Sequence, residues 1–143
     1  MFDFTGQRVL VTGGNMGLGA GVARGFAAAS ADLVIAGLEP DVPKVAAAWS
    51  AEFERTIEGL SCDITVADDL ERLAEVAGRL DVLVNNAGLE LITPIEDPAP
   101  EVDATFRRIT EINVVGTFSV IRRLLPQMRD GARIVNTASM WGK

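Results

Sequence analysis

The sequence predicts an α/β fold built on a doubly wound parallel sheet. Three observations carry that expectation. Short apolar runs alternate along the chain with stretches of helical periodicity. The first run leads straight into a glycine-rich turn, TGGNMGLGAG. The last, RIVNTAS, closes on Ser139, at the kind of strand end where open α/β sheets place their chemistry.

The strand candidates are RVLVT (8–12), DLVIAG (32–37), IEGLSCD (57–63), DVLVNNAG (81–88) and RIVNTAS (133–139). Each is short, apolar and rich in β-branched residues, as a strand covered on both faces must be. Between them, Met16, Val22 and Phe26 mark one helical face, Val45, Trp49 and Phe53 a second, and Leu70, Leu73, Val76 and Ala77 a third. Strand and helix therefore alternate in βαβαβ order, which a parallel sheet requires.

After the fourth strand, ELITPIEDPAPE carries prolines at 94, 98 and 100, an irregular segment leading to a helix start between Asp97 and Glu101. Val102, Phe106, Ile109 and Asn113 then share one helical face. The apolar pattern continues through Val114, Phe118, Ile121 and Leu125 until Pro126 and Gly131 close it. No internal repeat, linker or low-complexity segment interrupts the chain, so residues 1–143 read as one domain.

Composition narrows the function. Thirteen basic residues against 20 acidic ones, a net charge of −7, disfavour nucleic acid and anionic membrane surfaces as partners. A single cysteine and no histidine exclude an intrachain disulfide, a zinc site of usual ligand type and a Ser-His-Asp triad built from this chain. MFDFTGQR has no basic segment followed by an apolar one, and no 18-residue apolar run occurs. A soluble, cytoplasmic protein is expected.

The glycine turn carries the first chemistry. Glycines at 13, 14, 17, 19 and 21 follow the first strand, where a strand-to-helix turn needs positive φ, close approach of a pyrophosphate, and tight helix–strand packing. The helix that follows offers free N–H groups to phosphates. The spacing is Gly13-x-x-x-Gly17-x-Gly19 with no Lys-Ser/Thr after it, which excludes a nucleoside triphosphate P-loop. A turn that binds nothing and a methyltransferase glycine loop remain as competitors on this motif alone.

TGGNMGLG at 12–19, NNAG at 85–88, Asn113 and the strand-end Ser139 together resemble, in content and order, the short-chain dehydrogenase/reductase family. The resemblance implies a Rossmann-type sheet of five strands in order 3-2-1-4-5. It also implies reversible hydride transfer between a nicotinamide cofactor and a small alcohol or carbonyl substrate, in a homo-oligomer, a dimer or tetramer. Cofactor contacts would come from Gly13, Asn15, Met16, Gly17, Leu18 and Gly19, from Leu38 and Glu39, from Asp63 and Ile64 beside the adenine, and from Asn86, Ala87 and Gly88. Asp63 reads equally as a helix cap.

Ser139 would polarise the reacting oxygen, or else cap a following helix, and Asn113 would anchor the proton relay. Asn113 extends an apolar face, so its amide is expected to be buried and partnered. The family's Tyr-x-x-x-Lys pair lies in a helix beyond the serine, and this sequence contains no tyrosine. Residues 1–143 are thus expected to be the N-terminal part of a longer enzyme, inactive alone. A regulatory dinucleotide-binding module is the alternative. Methyl transfer from S-adenosylmethionine would leave NNAG, Asn113 and Ser139 as coincidences. Cys62 and Trp49 read as packing residues, Trp141 as a possible pocket wall and Lys143 as solvated.

The second strand's end speaks to the cofactor. Gly37 stands where many NAD-using relatives carry Asp, yet Asn15 and Leu38 stand where NADP-using relatives offer Arg. Glu39, twenty residues after Gly19, would accept ribose hydroxyls and repel a 2′-phosphate. NAD is expected, with NADP less favoured.

Overall fold

The computed structural model describes residues 2–139. Trp141 and Lys143 lie outside them. Five parallel strands, β1 (Arg8–Thr12), β2 (Asp32–Gly37), β3 (Ile57–Ser61), β4 (Leu80–Asn85) and β5 (Met128–Asn136), form one sheet in the order β3-β2-β1-β4-β5. The expected Rossmann-type topology is observed. No helix among the described residues is long and apolar enough to cross a membrane.

Strand alternation divides the core in two. On one face Leu10, Val34 and Leu83 pack beneath α3 (Ala67–Ala77), through Leu70, Leu73 and Ala77, and beneath α5 (Thr117–Leu124), through Val120 and Leu124. On the other, Val9, Val11, Leu33, Ile35 and Val84 meet α1 (Gly17–Ala28) through Ala23 and Ala27, and α2 (Val42–Phe53) through Val42 and Ala46. Each fully buried Leu, Ile or Val contributes about 1.5–3 kcal/mol.

Several boundaries differ from the expectation. β3 stops at Ser61 and β4 at Asn85, leaving Asp63 and residues 86–88 in the loops that follow. Met16 precedes α1 as its N-cap and is 57% exposed, while the buried face is Gly19, Ala23 and Ala27, small residues that let the helix lie close to the sheet. β5 begins five residues earlier than expected. Its register jumps from Leu80↔Met128 to Val82↔Arg133, and Gly131, at φ +80°, sits within the bulged stretch. It pairs with β4 alone, and Ile134 and Val135 are exposed rather than buried.

The largest departure lies between β4 and β5. α4 (Pro100–Thr110) continues without a break through a π-helical turn at Glu111–Gly116 into α5. α4 buries none of its residues, and the sheet is met by Gly116, Val120 and Leu124. Phe106, Val114, Val115, Phe118 and Leu125 form an exposed apolar set on this run.

Candidate functional site

The glycine turn leaves β1 at its carboxyl end, and the main chain fixes its path. Gly14 donates its N–H to the Ala36 carbonyl at 3.1 Å, joining the turn to β2. Gly13 and Gly17 both have positive φ, +62° and +53°. A Cβ on Gly17 would meet open space, whereas one on Gly19 would overlap the Gly13 carbonyl and the Asn86 side chain. Gly17 is thus required by backbone conformation and Gly19 by packing of the helix against the turn. The first turn of α1 points N–H groups with no intrahelical acceptor out of this end of the sheet.

The NNAG turn is bolted to the same place. Thr12, almost fully buried, accepts hydrogen bonds at its Oγ1 from the main-chain N–H of Asn86 (3.0 Å) and Ala87 (3.1 Å). The Asn86 amide donates in return to the carbonyls of Thr12 and Gly13, both at 3.3 Å. Asn85 is buried in β4 and donates to Asn136 Oδ1 across the β4–β5 register at 2.9 Å. Thr12 and Asn85 open the TGGNMGLG and NNAG motifs but carry no role in the sequence reading, and Asn136 belongs to neither motif. The signal all three share is a polar residue closing an apolar strand.

The second strand's end holds a further polar pair. Asn15 Nδ2 donates to Glu39 Oε2 at 2.8 Å. Ser61 Oγ donates to the carbonyls of Leu38 (3.3 Å) and Glu39 (3.1 Å), fixing the main chain beneath. Asp63 folds its own loop: its Oδ1 accepts from Thr65 N–H and Oγ1, and its N–H donates to Asp69 Oδ2 at 2.7 Å. The N-cap of α3 is Val66, so Asp63 builds a turn before the helix rather than capping it. Cys62 is buried as expected, and burial, followed by the Asp69 charge, pushes its thiol up to about 11.

These segments enclose a cleft of about 250 Å³ at the carboxyl ends of β1, β2, β3 and β4. It is lined by Gly13, Asn15, Met16, Leu18 and Gly19 from the glycine turn, Leu38 and Glu39 after β2, Asp63 and Ile64 after β3, and Asn86, Ala87 and Gly88 after β4. Ala36, Gly37, Cys62, Leu89 and Ile112 complete it, none of them an expected contact. The segments converge as the sequence implied, with Gly17 beside the cleft rather than in its lining.

Asn113 and Ser139 do not line it. Asn113 sits in the π turn, and its side chain is exposed rather than buried. It is nevertheless partnered at both ends: Oδ1 accepts from Leu89 N–H at 2.8 Å and Nδ2 donates to the Leu89 carbonyl at 2.9 Å. Ser139 is exposed, three residues past the end of β5.

A sequence profile described as short chain dehydrogenase matches residues 7–143. The chain belongs to the short-chain dehydrogenase family. Its relatives include L-fucose dehydrogenase of Bos taurus, 33% identical over 97% of this chain and 51% of that protein. Among solved structures, a short-chain type dehydrogenase/reductase from Mycobacterium marinum superposes with a TM-score of 0.87 at 32% identity, covering 99% of this chain and 59% of the other. L-sorbose reductase from Gluconobacter frateurii, complexed with NADPH and L-sorbose, superposes with a TM-score of 0.85 at 26% identity, covering 96% and 54%. The chain thus spans about half the length of the curated relatives it matches. In short-chain dehydrogenase terms, the cleft is formed by the glycine turn and the NNAG turn, joined through Thr12.

Proposed function

We propose that this protein is the cofactor-binding part of an oxidoreductase that binds NAD(H) in preference to NADP(H) and acts on an alcohol/carbonyl pair. The observation that carries the reading is the cleft itself. It opens beside the first turn of α1, next to a glycine with positive φ whose side-chain space is vacant, as approach of a pyrophosphate to main-chain N–H groups demands. The buried Asn15 Oδ1, which has no hydrogen-bond partner among the described residues, adds a polar atom beside the site.

Bound nicotinamide would supply or accept the hydride. The chain's own residues hold and orient. The turn from Gly13 to Gly19 receives the phosphates, Glu39 the ribose hydroxyls, Asp63 and Ile64 the adenine, and Asn86, Ala87 and Gly88 the remainder of the dinucleotide. Ser139 donates a hydrogen bond to the substrate oxygen, and Asn113 is a positioning residue that holds the loop after NNAG.

The proton donor is a Tyr supported by a Lys from outside these 143 residues, a reading supported by the absence of tyrosine here and by the greater length of the relatives. A dinucleotide-binding module without turnover is the second reading. The exposed apolar set along the α4–α5 run supports association with a second copy of the protein. An acidic surface argues against nucleic acid as a partner, and a soluble cytoplasmic setting accompanies the reading.

Ser139→Ala in the protein carrying this segment tests the chemistry. Turnover should fall by about 3 kcal/mol at the transition state, with NADH affinity unchanged. Unchanged turnover removes Ser139 from the chemistry, and absence of turnover in the parent protein selects the module reading.

A further inference from the structure

Arg108, Ile112 and Gly116 follow one another four residues apart and so share one side of the run from α4 into the π turn. Ile112 lines the cleft. Gly116 is buried, and a Cβ on it would come within 2.9 Å of the Ile64 side chain. Arg108, at the outer end of the line, places its Nη2 3.7 Å from Asp63 Oδ2. Asp63 and Ile64 both line the cleft just after β3, so α4, which buries no residue of its own, belongs to a helical run that meets this short loop twice.

The two oxygens of Asp63 are placed differently. Oδ1 accepts from the Thr65 N–H at 2.9 Å and from Thr65 Oγ1 at 2.7 Å, which fixes the turn and occupies that oxygen. Oδ2 faces the Arg108 guanidinium, and 3.7 Å is an ion-pair separation beyond hydrogen-bond reach. Its lone pairs therefore stay free of hydrogen bonds among the described residues, while the cation draws the carboxylate towards α4. A charged oxygen in this condition at the wall of a cleft is an acceptor for a ligand's N–H group.

We propose that Arg108 is a positioning residue for recognition of the base: from α4 it holds the Asp63 carboxylate at the cleft so that Oδ2 accepts from the amine of a 6-aminopurine and refuses a 6-oxopurine. The proposal rests on the reading of the cleft as a dinucleotide site with Asp63 and Ile64 beside the base. A 6-amino group donates to the carboxylate, whereas a 6-oxo group turns a second acceptor towards it and is repelled. Thr65 holds one oxygen of Asp63 in either case, and Arg108 sets where the other lies. The ion pair is partly exposed, so its effect is severalfold rather than orders of magnitude.

The test uses two ligands of equal charge that differ only at the base. Dissociation constants for NADH and for reduced nicotinamide hypoxanthine dinucleotide are measured by nicotinamide fluorescence for the parent protein, Arg108→Met, Arg108→Lys and Asp63→Asn, with circular dichroism confirming the fold of each. The parent should bind NADH severalfold more tightly. Arg108→Met should shrink that ratio by about threefold by weakening NADH alone, and Arg108→Lys should restore most of it. Raising the salt from about 0.05 M to about 0.5 M should shrink the parent's ratio and leave that of Arg108→Met unchanged, since the ion pair is screened and the equal charges of the ligands cancel. In the Asp63→Asn background, Arg108→Met should change the ratio no further.

Equal weakening of both dinucleotides by folded Arg108→Met, or an unchanged ratio, overturns the role of Arg108 and leaves the dinucleotide reading standing. A parent that binds both equally, or an Asp63→Asn variant that keeps the parent's ratio, overturns the proposal as well, because the carboxylate then does not read the base. If the parent binds neither dinucleotide, the underlying reading fails, and this proposal with it.

Discussion

Asn113 and Leu89 exchange two hydrogen bonds through one side-chain amide, pinning the loop that follows the NNAG turn to the π turn between α4 and α5. The amide pairs with a single residue's N–H and carbonyl as a neighbouring strand would. Gly88 lies directly beneath, where a Cβ would come within 3.3 Å of Asn113 Oδ1. Asn113→Ala removes both bonds. The expected loss is about 1–2 kcal/mol, read as a lower urea midpoint with unchanged slope. Asn113→Asp, which keeps the acceptor but sets a carboxylate against the Leu89 carbonyl, should recover little of it.

The two glycines of the turn should respond differently to the same substitution. Gly17→Ala meets no atom and should cost about 1 kcal/mol for its positive φ, with cofactor affinity falling only if the added methyl faces the ligand. Gly19→Ala collides with the Gly13 carbonyl and the Asn86 amide, so it should lower the melting temperature further and weaken cofactor binding by displacing the turn itself. Equal melting temperatures for the two variants would contradict the packing role of Gly19.

Phe118 is 61% exposed on the outward side of α5, in line with Val114 and Val115. Such a contiguous apolar face favours self-association, against the repulsion of a net charge of −7. Phe118→Glu should shift the sedimentation profile towards smaller species at a given concentration without lowering the melting temperature of the monomer by more than about 0.5 kcal/mol equivalent.

The Cys62 thiol is buried and held up to about 11, so at neutral pH it is almost wholly protonated. A thiol reagent should modify the native protein slowly at pH 8 and rapidly once urea unfolds it. The linkage has a definite sign. The folded pKa lies above the ordinary value of 9.0, so this contribution to stability is complete below pH 9 and is lost as pH rises from about 9 through 11. Cys62→Ala should flatten that alkaline decline.

Much of this fold could be read from local pattern, and the exceptions have physical causes. β1 and β2 end where the apolar runs end, because strands buried on both faces have no polar positions to blur their limits. In the α4–α5 run the apolar pattern misleads, because at Asn113 the apolar side chains step to the neighbouring Val114. Gly116, Val120 and Leu124, three, seven and eleven residues after Asn113, continue its face and are buried, whereas Val114 and Phe118, one position round, are exposed. β5 began early because Gly131 and its bulge look like a terminator in sequence. At the site, the glycine turn and NNAG supply eight of the lining residues, the segments after β2 and β3 add Leu38, Glu39, Asp63 and Ile64, and Ala36, Gly37, Cys62, Leu89 and Ile112 carry no motif. The pairings of Asn15 with Glu39 and of Thr12 with the NNAG main chain join residues 24 and 74 or more positions apart, and no local pattern carries them.

Titration of the folded protein with NADH and with NADPH, followed by nicotinamide fluorescence, and with S-adenosylmethionine, followed by calorimetry, tests the dinucleotide site most directly. The expected result is saturable NADH binding, weaker binding of NADPH, no binding of S-adenosylmethionine, and loss of the NADH signal in Gly19→Val. A folded protein that gives no saturable NADH binding, or that binds S-adenosylmethionine instead, contradicts the assignment of the cleft.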